Sequence, residues 1–107
     1  MTEHDPLLVA LSIMGTKQRW GIIRCILSGH TKFNQIKRDC GISSAALART
    51  LRHLQSHGVI TRLANGGRVP ETEYSLTQSG LEFAKVMDAM AKWGRRIKQN
   101  PSLSTAQ

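Results

Sequence analysis

The chain has 107 residues, room for one domain with a single core, near the size at which part of the apolar surface goes to a partner subunit. Fifteen Lys and Arg against seven Asp and Glu give a formal charge of +8, which favours nucleic acid or another anionic surface as partner. The longest apolar runs, Leu7 to Leu11 and Gly21 to Leu27 with Arg24 inside it, fall short of the roughly 20 residues of a membrane span, and with only two cysteines a disulfide-framed domain is excluded.

In chain order, Asp5-Pro6 ahead of Leu7, Leu8, Leu11 and Met14 predicts a short helix, with Asp5 as N-cap, Pro6 at the first helical position and Gly15 at its end. A second helix is predicted from Thr16 to about Ser28. Trp20, Ile23 and Leu27 form one core-facing stripe with Ile22 and Ile26 beside it, and Gly29 is the C-cap. Thr31 to Phe33 read as extended, and Asn34 is expected to cap a helix of about two turns whose inward residues are Phe33 and Ile36, broken by Gly41. Ser43 caps a further helix to about His57, with Leu47, Leu51 and Leu54 on one face and Ala45, Arg49, Arg52 and Ser56 on the other.

After Gly58, Val59 to Ala64 and Val69 to Leu76 are predicted strands joined by Asn65-Gly66-Gly67, a hairpin signal that gives a wing. Thr77 caps a last helix to about Lys98, along which Leu81, Phe83, Val86, Met87, Met90, Trp93, Gly94 and Ile97 form a drifting stripe. Residues 1–99 therefore read as one winged helix-turn-helix domain, mainly α with a small β-hairpin (α+β), and residues 100–107 as a disordered tail. The start has neither a basic leader nor a small-residue cleavage site, so a cytoplasmic protein is expected, with Cys25 and Cys40 as reduced thiols. Neither cysteine has the basic, helix-start setting that lowers a thiol pKa, so no redox role is read for either.

Between Lys17 and Arg68 ten basic residues face one acid, Asp39. A helix enters a DNA major groove when one face is free of core contacts and its first turn carries short side chains. The helix begun by Ser43 meets both conditions: Ser43, Ser44 and Ala45 are small, and Arg49 and Arg52 follow on the outer face, where a guanidinium can span guanine O6 and N7 or clamp a phosphate. Charge opposite leucines usually marks only a solvated face, but such a face mixes signs and this one has no acids. Lys32, Lys37 and Arg38 are placed to lean on phosphate, and Arg62 and Arg68 flank the wing tip. Lys17, Arg19 and Arg24 receive no assignment.

The last apolar stripe outruns what one small domain can cover. Met87, Met90, Trp93 and Ile97, with Leu7, Leu8 and Leu11 of the first helix, are therefore expected to form a homodimer interface. Twofold symmetry would set two Ser43 helices roughly 34 Å apart, one duplex turn, on a near-palindromic double-stranded DNA site. His53 and His57, four apart, could share a metal, but no third ligand is near in sequence and no metal or other cofactor is assigned. No paired carboxylates, phosphate-cradling loop or activated nucleophile is found, so no enzyme is read.

The chain resembles the HxlR-type winged helix regulators over about Asp5 to Ile97. The resemblance is carried by Gly15-Thr16-Lys17, by Gly29 to Ile36, by Gly41-Ile42-Ser43 and by Leu51-Arg52-His53-Leu54 leading to Gly58-Val59-Ile60-Thr61-Arg62. Pro70 to Thr77, Gly80 and Trp93-Gly94 complete it. It implies a transcription regulator that dimerises through its first and last helices and contacts DNA through Ser43, Ser44, Ala45, Arg49, Arg52 and the wing arginines. Many members carry a cysteine before the proline of the first helix; here Asp5 holds that place, and thiol sensing by that route is not available. In this chain Gln18-Arg19 separates Lys17 from Trp20, where the family usually has the two adjacent, which sets the ring on a different helix face. Two other readings stay open. One is a metal- or ligand-responsive winged-helix sensor of another family, favoured if His53 and His57 bind zinc; the other is a winged helix that binds an acidic partner protein. Any small-molecule effector is unknown from sequence.

Overall fold

A computed structural model describes residues 4–63 and 72–100. In chain order these form α1 (Pro6–Met14), α2 (Lys17–Leu27), α3 (Phe33–Cys40), α4 (Ser44–Ser56), β1 (Ile60–Leu63), β2 (Glu73–Leu76) and α5 (Gln78–Gln99).

Four helices start where a short side-chain oxygen takes a first-turn N–H that has no partner within the helix. Asp5 accepts from Leu7, Thr16 from Arg19, Ser43 from Ala46 and Thr77 from Gly80, at 2.8 to 3.2 Å. The expected cap of α3 is corrected. Asn34 lies inside the helix and Lys32 is the extended N-cap, its backbone N–H donating to Gln35 Oε1 at 3.2 Å, so the glutamine three residues on supplies the oxygen. Gly41, at φ 64°, turns the chain from α3 into α4 in the left-handed region that residues with a Cβ avoid.

The core is built where α2, α3, α4 and the sheet meet, from Met14, Ile22, Ile23, Ile26, Ile36, Leu47, Leu51, Leu54, Val59, Ile60 and Tyr74. Leu47, Leu51 and Leu54 are buried as their spacing requires. Leu27 departs from expectation and is half exposed. The buried arc of α2 centres on Ile22, Ile23 and Ile26, and Trp20 and Leu27 flank one edge of it. Phe83 of α5 covers Trp20, the two rings edge-on with centroids 4.8 Å apart.

β1 and β2 pair antiparallel with Ile60 opposite Leu76 and Arg62 opposite Tyr74. Val59 and Thr72 lie outside the ladder, and the rest of the predicted hairpin, Ala64, Asn65-Gly66-Gly67, Arg68 and Val69 to Glu71, lies outside the described residues. The sheet gains a piece from before α3. Tyr74 N–H donates to the Thr31 carbonyl at 2.9 Å, Phe33 N–H to that of Thr72 at 3.0 Å, and the Thr31 hydroxyl to Glu73 Oε2 at 2.7 Å. The sheet then joins α5 through Thr77, whose hydroxyl is shared between the carbonyls of Gly58 and Val59. Gly80 sits so close to this corner that a Cβ there would stand 2.3 Å from the Val59 carbonyl oxygen.

Candidate nucleic-acid interface

At 3.6 residues per turn, Ala45, Arg49, Arg52 and Ser56 fall within a sector of about 60°, and Leu47, Leu51 and Leu54 fall opposite. The structure keeps that division: the four are exposed and the three leucines are buried. α4 is thus held by one side only. It is also pinned along its length, because the Thr50 hydroxyl is shared between the Ala46 carbonyl at 2.9 Å and Gln18 of α2 at 3.3 Å, and His53 Nε2 donates to the Ile13 carbonyl of α1 at 3.0 Å. A carbonyl only accepts, so Nε2 carries the proton and is taken up in this tie. The His57 ring meets that of His53 edge-on, with centroids 4.7 Å apart. Among the described residues no group of three or more His, Cys, Asp or Glu is arranged to hold a metal.

Ser43, Ser44 and Ala45 are all exposed at the start of α4. The Ser43 oxygen accepts the Ala46 N–H at 3.1 Å, which leaves its O–H and one lone pair for a partner outside the helix. First-turn N–H groups and the helix dipole add a positive potential at the same end. No acid lies in the first turn of α4.

Behind α4, α3 carries Lys37, half-buried, and Arg38, exposed; Lys32 is exposed just before it. Asp39, the one acid of the basic segment, turns to the ring Nδ1 of His30. Arg62 is exposed on β1 and lies across from Tyr74. Burial pushes the Tyr74 phenol up from its ordinary pKa, and the Arg62 guanidinium opposes that shift. Arg68 lies outside the described residues.

One of the three unassigned cations has a structural task. The Arg19 guanidinium donates to the carbonyls of Ser12 and Ile13, each at 3.2 Å, and so closes the C-terminal end of α1. Trp20 Nε1 donates to the neighbouring Met14 carbonyl at 2.5 Å. No sequence pattern announces either contact, since both depend on how α1 folds back on α2. Lys17 and Arg24 instead rim an apolar groove of about 610 Å³ walled by Leu11, Met14, Trp20 and Met90.

The residues expected at a partner subunit divide by exposure. Leu7, Leu11, Met90 and Trp93 are 49 to 56% exposed, Leu8 and Ile97 are half-buried, and Met87 packs on the core.

The helices α2, α3 and α4, the last two joined by a tight turn and followed by a hairpin, with the cationic face of α4 outward, define a winged helix-turn-helix protein. The family model for the HxlR-like helix-turn-helix matches residues 13–102, and the chain belongs to that family. A relative from Methanothermobacter thermautotrophicus, an uncharacterised HTH-type transcriptional regulator, is 33% identical over 88 residues, covering 81% of this chain and 67% of its own. The HTH-type regulator YybR of Bacillus subtilis is 29% identical over 93 residues, covering 86% and 74%. A crystal structure from Porphyromonas gingivalis W83, described as a MarR-family transcriptional regulator, superposes with a TM-score of 0.75 at 29% identity, covering 89% of this chain and 94% of that one. This is a family of transcriptional regulators and not of enzymes, and membership makes DNA-binding regulation the class of activity. No helix among the described residues is long and apolar enough to cross a membrane.

Proposed function

We propose that the protein is a cytoplasmic homodimer that binds a near-palindromic duplex site and regulates transcription there. Residues 1–99 act as one unit with residues 100–107 as a tail. α4 enters the major groove, where Ser43, Ser44 and Ala45 bring the backbone close to base edges and Arg49 and Arg52 read guanine or clamp phosphate. Lys32, Lys37, Arg38, Arg62 and Arg68 hold the duplex backbone and fix the register.

The observation that carries this reading is the one-sided burial of α4, with leucines inward and Ala45, Arg49 and Arg52 outward and no acid in its first turn. The exposed Leu7, Leu11, Met90 and Trp93 support the dimer, because an apolar face of that extent is covered in a stable assembly. Selection of bound duplexes from a random pool tests the proposal. Two inverted half-sites centred about one duplex turn apart are expected. A pool without enrichment, or one with a single unpaired half-site, would overturn it.

A further inference from the structure

Cys25 and Cys40 are fifteen residues apart in the chain, yet their Sγ atoms lie 3.9 Å apart where α2 crosses the end of α3. Both are half-buried and free, and both line an open cleft of about 440 Å³ together with Lys17, Gln18, Arg24 and Asp39. A small solute can therefore reach the sulfurs. Cys40 is the last residue of α3, and only Gly41 and Ile42 separate it from Ser43, the cap of α4. The sulfur pair thus stands at the turn that aims the proposed DNA-reading helix.

We propose that Cys25 and Cys40 are a paired oxidation site: a peroxide closes them to a disulfide within the chain, and closure weakens DNA binding by moving α4. The second half rests on the DNA-binding reading above. A disulfide needs its sulfurs about 2.05 Å apart, so the two must approach by roughly 1.9 Å. Whatever side-chain rotation does not supply falls to the last turn of α3, and only Gly41 and Ile42 lie between that turn and the cap of α4.

The chemistry balances with the peroxide as two-electron oxidant. The Cys40 thiolate attacks one peroxide oxygen, the O–O bond breaks, and Cys40 becomes a sulfenic acid as the departing hydroxide takes a proton to give water. The Cys25 sulfur then attacks Cys40 Sγ, the S–O bond breaks, and the second hydroxide leaves as water with the Cys25 proton. Two thiols and one hydrogen peroxide thus become one disulfide and two waters. The order follows from the surroundings. Burial, then Cys40, then Asp39 push the Cys25 thiol up to about 12, so it stays protonated at neutral pH and is the resolving sulfur. Its S–H points to Asp39 Oδ2, 3.9 Å away.

The test treats the full chain with hydrogen peroxide, blocks remaining thiols with iodoacetamide and measures intact mass and peptide maps. The expected product has lost two hydrogens, takes up no iodoacetamide, and yields a peptide joining Cys25 to Cys40 within one chain. Cys25→Ala and Cys40→Ala are each expected to abolish that product. Two alkylatable thiols after peroxide, or a linkage only between chains, would overturn the site. DNA binding is read on the same samples. Oxidised protein is expected to lose affinity for the selected duplex on the order of tenfold, a usual size for coupling between two sites, and to regain it with dithiothreitol. The Cys25→Ala/Cys40→Ala protein is expected to show no such loss. A complete disulfide with unchanged affinity would overturn the switch. Absence of duplex binding in the reduced protein would refute the DNA reading and with it the switch, while the mass measurement would still decide the oxidation site.

Discussion

Trp20 of α2 meets Phe83 of α5 edge-on, with ring centroids 4.8 Å apart and planes at 78°. The same indole donates to the Met14 carbonyl, so one side chain ties the end of α1 and the long last helix to α2. Trp20→Ala is expected to destabilise the fold by about 3 kcal/mol, the lower end for removing a large ring because Trp20 is only partly buried. Trp20→Phe should lose about 1 kcal/mol with the indole donor. A double-mutant cycle with Phe83→Ala, followed by urea unfolding, should show a coupling of about 1 kcal/mol for the edge-on pair.

Gly80 permits α5 to start against the corner of the wing. A Cβ would stand 2.3 Å from the Val59 carbonyl oxygen, and that carbonyl already accepts from Thr77, so backbone would have to shift. Gly80→Ala is expected to cost about 2 kcal/mol, although alanine has the better helix propensity. Urea unfolding checks it; a variant as stable as the parent would show that the corner yields freely.

Much of this architecture is legible locally. Asp5, Thr16, Ser43 and Thr77 announce helix starts because a short oxygen-bearing side chain can satisfy an N–H only two or three residues ahead. The inward and outward faces of α4 follow from period alone. Asn34 misleads because it is a good cap by residue type, and the signal that matters is Gln35, three residues after Lys32. Contacts between distant segments are not legible. The pairing of Thr31 and Phe33 with β2, the closing of α1 by Arg19, and the meeting of Cys25 with Cys40 all depend on how the helices cross. Leu27 keeps the helical period but lies at the edge of the buried arc, where period alone does not decide burial.

The dimer proposal predicts a separation of assembly from folding. Met90 and Trp93 are 49% and 56% exposed, so Met90→Glu/Trp93→Glu removes little core. The variant is expected to keep its far-ultraviolet circular dichroism and to sediment as a monomer at micromolar concentration, where the parent sediments as a dimer. Its affinity for a duplex with two half-sites should fall toward that for one half-site. A parent that is itself monomeric would refute the interface.

Arg62, exposed on β1, is assigned to the duplex backbone. Arg62→Ala should weaken binding to all duplexes alike and reduce the slope of log affinity against log salt by about 0.9 for each phosphate the variant leaves unneutralised, one in each subunit. Fluorescence anisotropy across a salt series measures it. A change in base preference with an unchanged slope would assign Arg62 to base reading instead.

The outer face of α4 is tested most directly by measuring the affinity of the parent, Arg49→Ala and Arg52→Ala for the selected duplex and for each of its single base-pair variants at one salt concentration. At least one substitution is expected to cost on the order of 1–3 kcal/mol and to flatten the preference at a defined base pair, while both proteins retain the parent's unfolding midpoint. If both variants bind every duplex as the parent does, α4 is not the helix that reads DNA.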